Sequence, residues 1–191
     1  MKNALRVIIF VLVMGTVSGG LLLGVNTFTA SLIAKNDELK LKSSVLEALE
    51  IPYDKNRVIK IFDAQVKTIN KDIYIYYIAL DGSTAFEFRG PGLWGPISGI
   101  LSLEKDLKTI HKIKITYQEE TPGLGSRIAE PDYLKQFKHK EVLPKLVFVA
   151  EGTSNQKYDV YVITGATGSS RALEKLINDN LQKYLSALKG N

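Results

Sequence analysis

The chain has 191 residues, with 25 Lys and Arg against 20 Asp and Glu and no cysteine, enough for one folded domain of ordinary size plus an appendage. The lack of cysteine excludes disulfides, thiolate zinc sites and cysteine-ligated iron–sulfur clusters within the chain. Lys2, Arg6 and Lys35 are the charges of residues 1–35, which leaves 22 basic against 20 acidic residues for the rest; that near balance, without a Lys/Arg run interleaved with aromatics, gives no nucleic-acid footprint.

Val7 to Ala34 carries no charge, and its most apolar part, Val7 to Val25, has about the length that crosses a bilayer. A cleaved signal peptide usually has a shorter apolar core followed by small residues. Ser18-Gly19-Gly20 supplies small residues, but the apolar run Leu21 to Val25 continues past them. Residues 1–34 therefore read as a transmembrane anchor. Lys2 and Arg6 precede the span, and positive flanks stay in the cytoplasm. The expected location is the cytoplasmic (inner) membrane, single-pass, with residues 35–191 forming a domain on the extracytoplasmic side.

After the span, "TASLIAKNDELKLKSSVLEALEI" has apolar residues at helical spacing and reads as a helix that Pro52 ends. Alternating stretches follow: "RVIKIFD", "DIYIYYIAL", "TAFEFRG", "GPISGILSLE" and "TIHKIKITYQ". Their β-branched and aromatic content, broken by Asp-Gly and Gly-Pro, predicts strands. "EPDYLKQFK" reads as a short helix, and "KLVFVAEG" and "KYDVYVI" as two more strands. Arg171 to Leu188 is amphipathic, with Leu173, Leu176, Ile177, Leu181 and Leu185 on one side. Strands, a short helix, strands and a terminal helix predict an α+β fold with a mostly antiparallel sheet.

Little in the sequence carries independent chemistry. His111 and His139 are the two histidines, with no second ligand at metal spacing, so no metal site is expected. No nucleophile–base set is spaced for catalysis, so no catalytic residue is assigned. "GPGLWG" (Gly90 to Gly95) formally matches G-x-G-x-x-G, but a dinucleotide fingerprint needs a helix opening inside it. Here prolines crowd the motif and a strand-like run follows, so a Rossmann site is rejected. Three glycine-bearing stretches remain: "GPGLWGP", "QEETPGLGSRI" and "ITGATGSS". Each reads on its own as a tight turn. The third lies where a strand ends and a helix begins, and backbone N–H groups at a helix N-terminus attract phosphate. Thr164 and Thr167 stand beside that point, and Ser169 and Ser170 are candidate caps.

These three stretches resemble, in their order, the bacterial FMN-binding domain family. Its members include the G subunit of the Rnf complex and the C subunit of the sodium-translocating NADH:quinone reductase. The resemblance runs over most of residues 35–189 and includes the single N-terminal span. It implies FMN attached through its phosphate to Thr167, which ends the Thr-Gly-Ala-Thr motif, with Thr164, Gly165 and Ala166 lining the link. It places Leu93, Trp94, Thr121 and Leu124 in the ring wall and gives Glu120, Gly123 and Gly125 the shaping of the turn. The pattern departs at one position: the family usually has an aspartate six residues before the modified threonine, where this chain has Tyr161, the nearest acid being Asp159. The implied function is an electron-carrying subunit, not catalytic alone, of an ion-translocating complex with other membrane subunits, matured by a flavin transferase. The short chain and "TGATGSSRA" favour the Rnf-type ferredoxin:NAD oxidoreductase; the tryptophan segment points to the quinone reductase. A flavin-free docking or assembly protein on the same fold is the alternative from another class.

Overall fold

The computed structural model describes residues 2–154 and 156–189. Contacts divide the chain into two compact units, Met1–Leu41 and Lys42–Asn191. The described residues of the first are helix alone, part of α1 (Lys2–Ala48). This helix is long and apolar enough to cross a membrane, and its apolar side chains from Leu5 to Ile33 are exposed.

The second unit is built on a five-stranded sheet of β1 (Val66–Lys71), β2 (Tyr74–Ala79), β3 (Thr84–Pro91), β4 (Pro96–Leu103) and β5 (Ile110–Gln118), in sequential order and antiparallel throughout. Tight turns make this meander, among them the Asp81-Gly82 turn, where Gly82 takes φ +89°. One face of the sheet is covered by the last turns of α1, through Val45, Leu46 and Ala48, and by α2 (Val58–Gln65), through Val58 and Phe62. The Ser102 hydroxyl of β4 donates to the Ala48 carbonyl at 2.5 Å, and Phe62 meets Tyr77 edge-on at 5.9 Å.

The other face holds the main core. Phe86, Phe88, Ile97, Leu101 and Leu103 pack with Leu173, Leu176, Ile177, Leu181 and Leu185 of α4 (Thr167–Lys189). Between β5 and α4 run a 3-10 turn (Gly125–Ala129), α3 (Pro131–Leu134), a second 3-10 turn (Lys135–Phe137) and the parallel pair β6 (Val147–Val149) and β7 (Asp159–Tyr161). The architecture is α+β with a mostly antiparallel sheet, as the element order predicts.

Three elements differ from the sequence reading. "RVIKIFD" is helical. Its apolar positions 58, 59, 61 and 62 fit a helical face as well as a strand, and Val58 and Phe62, four apart, are the buried pair. β1 escapes the periodicity because it is an edge strand in which Val66 alone is buried. Finally, α4 opens at Thr167, four residues ahead of the amphipathic pattern.

Candidate functional site

The three glycine-bearing stretches, remote in sequence, meet at one corner of the second unit. The first is the β3–β4 hairpin loop. Pro91 pairs with Pro96 across it, and the Gly92 N–H donates to the Gly95 carbonyl at 2.8 Å. A hairpin tip, with no helix opening in it, gives Gly90 to Gly95 no dinucleotide geometry. The tip presents Leu93 and Trp94, 51% and 73% exposed. The second stretch leaves β5 and folds on the Thr121 carbonyl, which accepts the N–H groups of Leu124 at 3.2 Å and Ser126 at 3.1 Å. Gly123 takes φ +73° within this turn, and Leu124 is 50% exposed.

The third stretch is the link from β7 into α4. The Ala166 N–H donates to the Ile163 carbonyl at 2.9 Å, closing a turn in which Gly165 has φ +84°. Ser169 and Ser170 lie inside the first helical turn and do not cap it from outside. Ser170 Oγ accepts the Ile163 N–H at 3.0 Å and donates to the Ala166 carbonyl at 3.1 Å. Its hydroxyl thus clamps the strand-to-helix corner and extends the helix back to Thr167.

Glu120 joins the three stretches. Its side chain is buried; Oε1 accepts the Leu93 N–H at 2.7 Å and the Trp94 N–H at 3.3 Å, and Oε2 accepts the Ser169 hydroxyl at 2.6 Å. Glycines make the approach possible: a Cβ on Gly92 would collide with Glu120 Oε1, and one on Gly125 with Ser169 Oγ. A Cβ on Gly168 would lie 2.8 Å from Leu93 Cδ2, and one on Gly165 3.9 Å from Leu124 Cδ2. Leu93 and Leu124 therefore flank the helix start. Ser169, expected from the sequence only as a helix cap, belongs to the site through its bond to Glu120. A hydroxyl two residues after Thr167 has no local signature, because its partner lies 49 positions upstream.

Thr167 and Thr164 are exposed, and among the described residues neither hydroxyl has a protein partner. The Ser170 N–H donates to the Ala166 carbonyl at 3.1 Å, whereas the N–H groups ahead of it, at the start of the helix, lie before the first intrahelical bond, and the helix dipole makes this end favourable to anions. A free hydroxyl and N–H groups beside exposed Leu93, Trp94 and Leu124 fit a phosphate-bearing cofactor with a planar apolar ring. Asp159 and Tyr161 are occupied elsewhere. The Asp159 carboxylate accepts the Ser154 hydroxyl and the Gln156 N–H, and these donors hold its pKa below the usual carboxylate range. Tyr161 donates its hydroxyl to the Ser154 carbonyl at 3.2 Å, while Gln136 bonds its backbone N–H and carbonyl at 2.6 and 3.3 Å. Among the described residues no group of three His, Cys, Asp or Glu is placed to hold a metal.

Fold and corner together define a domain that presents a hydroxyl and a helix N-terminus beside an apolar wall. Residues 92–182 match the FMN-binding domain family. Several relatives are named as the C subunit of the Na(+)-translocating NADH-quinone reductase. The protein of Chlamydia trachomatis is 47% identical over 60 residues, 31% of this chain and 19% of that protein. Those of Pasteurella multocida and Haemophilus ducreyi are 33% identical over 91 residues and 32% over 100, covering 35% and 37% of their own lengths. The chain thus matches about a fifth to two fifths of the length of these curated relatives. Among solved structures, the C subunit of the same reductase from Parabacteroides distasonis superposes with a TM-score of 0.73 at 23% identity, over 84% of this chain and 96% of that one. NqrC from Shewanella oneidensis gives 0.67, also at 23% identity, over 83% and 100%. Both share the fold.

Proposed function

We propose that this chain is a membrane-anchored flavoprotein that carries FMN esterified through its phosphate to Thr167. It relays electrons in a Na+-translocating NADH:quinone reductase, in the position of the C subunit. One observation carries this function: the exposed Thr167 hydroxyl, without a partner among the described residues, opens a 23-residue helix beside an apolar wall fastened to that helix by Glu120. The names of the matched relatives favour the quinone reductase over the Rnf complex that chain length favours. Residues 1–34 are the anchor and 35–191 the extracytoplasmic domain, and a flavin transferase completes the protein.

The residues of the corner divide the task. Thr167 supplies the oxygen of the ester. The N–H groups of the first turn hold phosphate oxygens, and Gly165 and Ala166 let the chain pass close to the link. Thr164 offers a hydroxyl at its edge, and Thr121 belongs to the wall for the ring. Leu93, Trp94 and Leu124 form the wall for the ring, and Gly123 and Gly125 give the turn its shape. FMN supplies the reversible redox chemistry when bound, and the protein supplies position and electrostatics. A covalent link suits so open a corner, because an exposed cofactor stays attached while its ring edge faces redox partners. The anchor keeps the domain at high effective concentration near those partners.

The test is intact-mass spectrometry of the chain made together with a flavin transferase, followed by peptide mapping. A mass increase of FMN less water, mapped to Thr167 and lost in Thr167→Ala with an unchanged melting temperature, is expected. FMN still covalently bound in that variant sinks the assignment. A wild-type chain without added mass, and colourless, favours the flavin-free docking role.

A further inference from the structure

Glu120 is bonded from different sides of the corner, and all its partners donate: Leu93 N–H, Trp94 N–H and Ser169 hydroxyl. A carboxylate, which only accepts, suits three donors. It is 4% exposed, whereas the residues it holds at the hairpin tip stand in solvent. We propose that Glu120 is the positioning residue of the corner: it ties the Leu93–Trp94 tip to the first turn of α4 and so fixes the wall relative to Thr167. The inference rests on the flavin reading for what the wall receives, but not for the tie itself. Hydrogen bonds to a charged acceptor are about twice as strong as neutral ones, and this hairpin tip has little buried surface of its own to hold it. Because Glu120 reaches the helix through the Ser169 hydroxyl, the N–H groups of Thr167 and Gly168 are left for another acceptor. A carboxylate capping those groups directly would close the anion site.

Amide hydrogen exchange on the full chain, made without flavin transferase, tests the tie apart from the cofactor. In Glu120→Ala the Leu93 and Trp94 amides lose their acceptor, and exchange in residues 92–95 is expected to rise about tenfold or more, while β4 keeps its protection. Glu120→Gln retains the shape and one acceptor oxygen, gives a smaller rise, and serves if the alanine variant fails to fold. Ser169→Ala raises exchange modestly and adds nothing on top of Glu120→Ala, since Ser169 reaches the tip only through its bond to Glu120. Wild-type exchange in both Glu120 variants overturns the proposal. In flavin-loaded protein, Glu120→Gln is expected to keep FMN on Thr167, shift its visible absorption and raise its midpoint potential, since removing a buried anion favours electron uptake. A loosened tip with unchanged absorption and potential overturns the positioning role. The expected exchange pattern in a wild-type chain that never acquires FMN supports the tie and sinks the flavin reading instead.

Discussion

A methyl group on Gly125 would strike the Ser169 hydroxyl and lie 3.0 Å from Glu120 Cβ, both buried, so neither neighbour can move aside without breaking the tie between them. Gly125→Ala is therefore expected to cost about 1–3 kcal/mol, the usual range for overpacking, and to lower flavin incorporation; urea melts and the mass assay read the two effects. An equal midpoint for the variant would mean that the corner yields freely. Asp159 allows a pH prediction. Its carboxylate is depressed below the ordinary range by the Ser154 hydroxyl first and the Gln156 N–H second. A depressed carboxylate stabilises the fold above its unfolded pKa of about 3.9, and that contribution fades as pH falls through the folded value. Asp159→Asn should thus be less stable than wild type at pH 7, with the gap closing below about pH 4; a gap independent of pH contradicts the assignment. At this scale Thr167, Leu93, Trp94 and Glu120 stand out in the sequence because they sit in dense, unusual strings. Ser169 sits in the same string as Thr167, but its bond to Glu120 is hidden there, because a contact across 49 residues leaves no periodic trace.

Helix α4 is legible in the sequence wherever burial repeats at helical spacing, from Leu173 to Leu185. Its first turn is not, since Thr-Gly-Ser-Ser are poor helix formers. Tertiary bonds impose that turn: Ser170 clamps it to Ile163 and Ala166, and Ser169 to Glu120. The same logic separates α2 from the strands around it: a stretch this short holds too few turns to distinguish the two periods, and packing against the sheet decides. β1 has to be found by its partner, because pairing with β2 from Val66 to Lys71 holds it in place and its own side chains do not. At the far end of α4, Tyr184 stacks on Phe86 with ring centroids 4.2 Å apart and planes 18° from parallel, and meets Tyr74 and Tyr76 edge-on. Its backbone carbonyl accepts the Tyr76 hydroxyl at 2.8 Å. Tyr184→Ala should cost about 2 kcal/mol, below the range for a fully buried ring because Tyr184 is half-buried. Tyr184→Phe should be close to neutral, since the bond from Tyr76 ends on the backbone. Denaturant midpoints for the two variants decide it, and a large loss in the phenylalanine variant would show that the hydroxyl matters.

Across the whole molecule, composition alone marks the uncharged span, whereas the boundary between the units follows from where burial starts. The buried hydrophobic core begins at Val45, inside a helix whose earlier turns are exposed. Lys42 pairs with Asp63 at 2.9 Å, Val45, Leu46 and Ala48 are buried, and Ser102 bonds the Ala48 carbonyl. The last two turns of α1 are thus part of the folded domain. A chain beginning at Lys42 should be soluble and keep a cooperative melt, while the full chain sediments with membranes. A chain beginning at Glu50 would lose Val45, Leu46 and Ala48 and leave Ser102 without its Ala48 acceptor. Two large aliphatic side chains at about 1.5–3 kcal/mol each, plus a lost hydrogen bond of about 1 kcal/mol, approach the whole stability of an ordinary domain. That shorter chain should therefore fail to fold or melt far lower. Thermal melts of the two truncations, side by side, check the argument: matching curves would show that the sheet needs no cover from α1, and that the folded domain starts beyond it.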